Sequence, residues 1–183
     1  RRLDRFVWFC YSFAVWDLFY YVFLKLILGW PESLFTWDIL FLLPVVWVGP
    51  VLAPCLVSIG LIILALVLLW GKRRNAAFTL SWRQWSPLLA AGVLILWTFI
   101  EGPWGYLATY RKASPGGDLL MAFNNYAPTN FRWGVFLLAY GLAAIAVVGM
   151  VRGIDSHKAS RDQAGNLFSS GPLHPPRDPD RDP

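Results

Sequence analysis

An all-α, polytopic membrane protein is the fold class this sequence predicts, and three observations predict it. Four apolar runs reach or approach the roughly 20 residues that a helix needs to cross a bilayer. Charged residues make up 15% of the chain against 57% hydrophobic, too few to give those runs an aqueous face. The basic residues stand beside the runs instead of inside them, where they orient spans. The pattern predicts four transmembrane helices, a short interfacial or re-entrant helix after the first, and a disordered C-terminal tail. The membrane domain covers residues 1–154 and the tail 155–183.

Arg1, Arg2 and Arg5 precede span one, Phe6 to Leu28, which closes at Gly29-Trp30-Pro31. That run is too long for a signal-peptide core and no small-residue cleavage site follows it, so it reads as a retained helix. Leu34 to Leu43 would be roughly 15 Å long as a helix, too short to cross, and is expected to be the interfacial or re-entrant element. Span two covers about residues 45–70, or starts only at Val51 if the proline-rich part is not helical; Pro44, Gly49, Pro50 and Pro54 are the expected break, because proline removes a donor and clashes with the preceding turn. Lys72, Arg73 and Arg74 stop it.

Span three covers about residues 85–104, with Pro87 in its first turn, where a missing N–H costs no hydrogen bond. A connection from Gly102 to Asn130, with a small helix over Asp118 to Phe123, leads to span four at about 131–151. From Asp155 onward the chain is polar and contains Pro172, Pro175, Pro176, Pro179 and Pro183. Such a segment cannot bury a core and is expected to be extended or disordered.

Orientation follows from the Lys and Arg count. Arg1, Arg2, Arg5, Lys72, Arg73, Arg74, Arg83, Arg152, Lys158 and Arg161 fall on one side, against Arg111, Lys112 and Arg132 on the other. Both termini are therefore expected in the cytoplasm, in a bacterial-type inner membrane. The net charge of +5 serves this topology and gives no reason to invoke nucleic acid.

Histidine is informative by its placement: His157 and His174 both lie in the tail, so no imidazole stands in a span. Haem and most metal centres in helical bundles need one. No metal site and no cofactor held by the chain's own side chains is expected; contact with lipid, quinone or pigment remains open. Cys10 and Cys55 fall at different depths and predict no disulfide. The familiar catalytic motifs are missing, so no catalytic residue is assigned.

Asp17, near the middle of span one, is the sharpest single residue, since an intramembrane carboxylate is costly. Ser58, Thr98 and Tyr140 are expected at similar depth, with Tyr20 and Tyr21 one turn away. Such a group serves either a proton or cation site or helix packing through a hydrogen bond. Lys25 is expected to snorkel to the headgroups and Glu101 to be solvated at the outer end of span three. Asp38 is a further outer-face acid that could form a site with Glu32 or Glu101, although nothing in the sequence fixes their proximity. Ala139, Gly141, Ala143 and Ala144 in span four, and Ala90, Ala91 and Gly92 in span three, offer small surfaces for close helix packing.

These residues favour a structural or accessory subunit of a larger membrane complex, of the respiratory or photosynthetic kind, with the bilayer and other membrane subunits as partners. The alternative is a small proton- or cation-coupled transporter using Asp17 and the proline-broken second segment. A membrane-embedded enzyme ranks third, because a lone carboxylate provides little acid–base machinery.

Overall fold

A computed structural model describes residues 2–41, 46–74, 80–118, 121–122 and 125–169, with residues 155–169 described by their backbone. The protein is mostly helical, and four helices are long and apolar enough to cross a membrane. They are α1 (Arg2–Leu28), α2 (Leu52–Arg74), α3 (Trp82–Ala113) and α4 (Trp133–Ser169). Between α1 and α2 the chain forms a two-stranded sheet, β1 (Trp37–Phe41) and β2 (Trp47–Pro50).

That sheet corrects the all-α expectation and the interfacial helix over Leu34 to Leu43. β1 and β2 pair antiparallel, with Trp37 opposite Pro50, Asp38 opposite Gly49, Ile39 opposite Val48 and Phe41 opposite Trp47; an irregularity falls between Ile39 and Phe41. The physical reason lies in composition and length. Aromatic and β-branched residues dominate the stretch and suit a pleated surface, and a ten-residue helix next to proline is marginal. Pairing continues past the strands: the Val51 N–H donates to Thr36 O over 3.0 Å and the Leu52 N–H to Leu34 O over 2.8 Å. The backbone is thus satisfied up to the first residue of α2.

Gly49 and Pro50 are not helical, so span two takes the later of its two expected starts. Gly49 and Pro50 belong to β2, and Pro54 sits in the first turn of α2, where it starts the helix without interrupting it. Pro44 lies outside the described residues. Uninterrupted, α2 spans 23 residues, roughly 35 Å, enough for a ~30 Å hydrocarbon core.

Two helices overrun their expected ends. α3 begins at Trp82, with the Ser81 N–H donating to Gln84 Oε1 over 3.0 Å, so Pro87 lies beyond the first turn. It then passes through Pro103 to Ala113, occupying part of the expected Gly102 to Asn130 connection. Within that connection Met121 and Ala122 are helical, while Phe123 lies outside the described residues. α4 continues to Ser169, so the first half of the expected extended tail is helical. No proline interrupts the chain between residue 133 and Pro172, and the helix meets no backbone barrier where the apolar run stops. Residues 170–183 lie outside the described part.

α1 packs on α2, α2 on α4, and α4 on α3, while β2 lies against α2 and α3. In backbone approach the order is α1–α2–α4–α3, and side chains bring the start of α1 back to α3, where the Phe6 and Trp85 rings meet edge-on at 5.2 Å. Two apolar clusters hold the helices together. Val7, Leu64, Ala65, Leu68 and Met150 form the first, near both the start of α1 and the end of α2. Ala53, Ile95, Phe99, Phe136 and Ala139 form the second beneath the sheet, with Trp47 packed against it. Gly49 is required there: a Cβ on it would fall 2.7 Å from two ring carbons of Phe99.

Candidate functional site

The polar groups of the membrane zone gather between α1, α2 and β1. Asp17 and Tyr21, four residues apart, share one face of α1; Cys55 and Ser58, three apart, share one face of α2. The Ser58 hydroxyl donates to Asp17 Oδ2 over 2.8 Å, and Ser58 itself is 1% exposed. One turn toward the sheet, the buried Tyr21 hydroxyl donates to Asp38 Oδ2 over 2.9 Å. Asp38 Oδ1 accepts from the Ile39 N–H over 2.8 Å. These contacts form a short polar ladder. It runs from Asp17, roughly 16 Å of helix rise inside the end of α1, to Asp38 on the sheet.

Of the residues expected around Asp17, Ser58 reaches it. Thr98 does not: its hydroxyl donates to Ile95 O over 2.6 Å, within its own helix. Tyr140 also lies elsewhere, stacked on Phe136 at 6.1 Å and against Gly60 of α2. Tyr20 is exposed and stacks on Trp16, while Tyr21 is turned to Asp38. Asp38 finds its partner in Tyr21, not in Glu32 or Glu101. Its side chain became hard to place once its stretch was read as a helix; strand alternation would have put it on the face shared with Gly49.

Other expected roles are redistributed. Lys25 caps the end of α1, with Nζ donating to Gly29 O over 3.2 Å and to Pro31 O over 2.7 Å. Glu101 pairs with Arg132 and is not simply solvated. Of the small residues in α4, Ala139 is packed at 1% exposure, whereas Gly141 and Ala143 are half-buried and Ala144 is exposed. In α3, Ala91 is buried, Gly92 half-buried and Ala90 exposed. Cys10 and Cys55 are free thiols. Among the described residues no group of three His, Cys, Asp or Glu side chains gathers where a metal ion could sit.

Chemically, the ladder locks α1 to α2 through Asp17 and Ser58 and α1 to the sheet through Tyr21 and Asp38, and its Asp17 carboxyl is a group that can carry a proton. Comparison with protein-family profiles, curated proteins and solved structures finds no match for the chain.

Proposed function

We propose that the chain is a structural or accessory subunit of a larger membrane complex and holds no redox centre of its own. The observation that carries this reading is the exposed aromatic face of α1. Among the described residues α1 comes into close backbone approach with α2 alone of the helices, and its side chains reach α3 and α4 near its start. It leaves Trp16, Phe19, Tyr20 and Phe23 exposed, and these rings border a shallow apolar cleft of about 360 Å³. The intramembrane polar groups Asp17, Ser58 and Thr98 are hydrogen-bonded within the protein. A transporter working alone needs uncommitted polar groups along its path.

An energy-converting complex, respiratory or photosynthetic, is the host class we favour. There an aromatic, imidazole-free set of helices supplies a boundary to lipid, quinone or pigment while neighbouring subunits hold the metals. The bias of Lys and Arg toward the ends of α2 and α4 and the starts of α1 and α3 supports cytoplasmic termini in a bacterial-type inner membrane. Photo-crosslinking from an aryl ketone placed at Phe19 tests the accessory reading. It predicts a discrete adduct with another polypeptide; adducts with lipid alone would contradict it.

The second reading is a proton- or cation-coupled transporter. The contact between Asp17 and Ser58, with Asp38 nearby, favours it, because a carboxylate at that depth is costly unless it is used or well paired.

A further inference from the structure

On the sheet side of the bundle, a cleft of about 650 Å³ opens between the outer part of α3 and the start of α4. That volume lies within the range of small-molecule sites, roughly 300–1,000 Å³. Its walls carry charges of both signs. Glu101 comes from the end of the apolar part of α3, and Arg132 from the residue just before α4. The two are paired through Arg132 Nε and Glu101 Oε1. Among the described residues the guanidinium makes that one bond, and its side chain is 65% exposed, so its remaining N–H groups are available. The glutamate is only 18% exposed and is held at the base of the pair.

The first turn of α4 adds further donors. The Phe136 N–H is taken by Arg132 O over 3.0 Å and the Trp133 N–H by Phe131 O over 2.8 Å. The N–H groups of Gly134 and Val135 have no backbone partner among the described residues, as the opening of a helix dictates. Gly105 and Gly134, both in the cleft wall, leave open space where a Cβ would stand. Burial pushes the Tyr126 phenol above its ordinary range, so it remains a neutral hydroxyl against Gly102 at the cleft margin.

A purely anionic ligand would meet the Glu101 carboxylate, and a purely cationic one the Arg132 guanidinium. A group bearing both charges a few ångströms apart meets neither penalty. Glu101 is the first charge after the apolar run of α3 and Arg132 the last before that of α4, and Trp133 and Phe131 stand in the cleft wall, a combination that suits the level of lipid headgroups. We propose that this cleft binds a zwitterionic phosphoethanolamine headgroup of a membrane lipid. The phosphate lies on Arg132 and the first turn of α4, and the ammonium on Glu101. The same chemistry occurs in soluble glycerophosphoethanolamine, but the position at the bilayer surface assigns the lipid. This site depends only on the chain being a membrane protein and is independent of the accessory-subunit reading.

Native mass spectrometry of the full chain, purified and delipidated in detergent, tests it by titration with synthetic phosphatidylethanolamine, phosphatidylglycerol and phosphatidylcholine. Phosphatidylethanolamine is expected to be retained preferentially. Arg132→Gln and Glu101→Gln should each lower its occupancy about tenfold, the effect of one charge-assisted hydrogen bond. Gly105→Leu fills the cleft from a position with free space and should abolish retention while circular dichroism stays unchanged. It keeps the test decisive if loss of the ion pair disturbs folding. Equal retention of the three lipids, or unchanged occupancy in either Arg132→Gln or Gly105→Leu, would overturn the proposal. Glycerophosphoethanolamine at the same concentration should fail to displace the lipid; complete displacement would overturn the lipid assignment.

Discussion

The Ser58 hydroxyl donates to Asp17 Oδ2 over 2.8 Å and ties α1 to α2 at mid-depth in the membrane zone. A buried hydroxyl is thereby satisfied by the one carboxylate of the first span, and α1 gains a polar anchor to the helix it packs on most extensively. Ser58→Ala should lower stability in detergent by about 1 kcal/mol, the scale of interhelical hydrogen bonds in membrane proteins. Thermal unfolding of Ser58→Ala, Asp17→Asn and the double variant measures the coupling directly. Strict additivity would show that the contact contributes nothing.

Gly49 carries the fit between the sheet and α3. A Cβ at that position collides with the Phe99 ring, so Gly49→Ala should destabilise the protein by about 1–3 kcal/mol, the usual cost of overpacking. Adding Phe99→Leu should recover part of the loss, because the colliding ring carbons are removed. A melting temperature for Gly49→Ala equal to that of the wild type would contradict the packing of β2 against α3.

Most of the architecture could be read from the chain, and the misreadings have local causes. The four spans were legible because apolar runs next to arginine clusters have few other solutions. The sheet was not, because Trp37 to Phe41 and Trp47 to Pro50 become strands only by pairing with each other, which lies outside any local window. The reach of α3 past Pro103 escaped the sequence for a different reason: proline is a strong stop signal that tertiary packing overrides here. Asp17 and Ser58 were found from depth alone. Their neighbours Tyr21 and Asp38 required the hairpin, and the pairing of Glu101 with Arg132 required the two ends of a connection to meet.

The ion pair between Glu101 and Arg132 should contribute little to stability. Arg132 is largely exposed, and exposed pairs are worth about 0–1 kcal/mol. Glu101→Gln is therefore expected to unfold within a few degrees of the wild type. A loss well above that range would show that the pair holds the start of α4 in place.

Orientation has a direct test at Ser114, an exposed residue just beyond α3. A membrane-impermeant thiol reagent should label Ser114→Cys from outside the cell, in a background with Cys10 and Cys55 replaced by alanine. Labelling only from the cytoplasmic side would reverse the proposed topology.

Truncation after Arg161 removes the final turns of α4 and everything beyond them but leaves the apolar part of the helix intact. Membrane insertion should be unchanged in alkaline extraction. Release into the soluble fraction would mean that the C-terminal segment is needed to hold the last span.

Asp17→Asn separates the two functional readings, since amide replaces carboxylate with little change in shape. On the accessory reading, the variant still accepts from Ser58, assembles normally and leaves no flux to lose. Abolished ion or solute flux in proteoliposomes, with assembly intact, would move the protein into the transporter class.

The central claim is that this set of four helices works as part of a larger assembly, and purification in a mild detergent tests it most directly. The account predicts a stable particle in which the chain is present at fixed stoichiometry with other membrane polypeptides. Recovery of the chain alone, monodisperse and supporting flux after reconstitution, would contradict it.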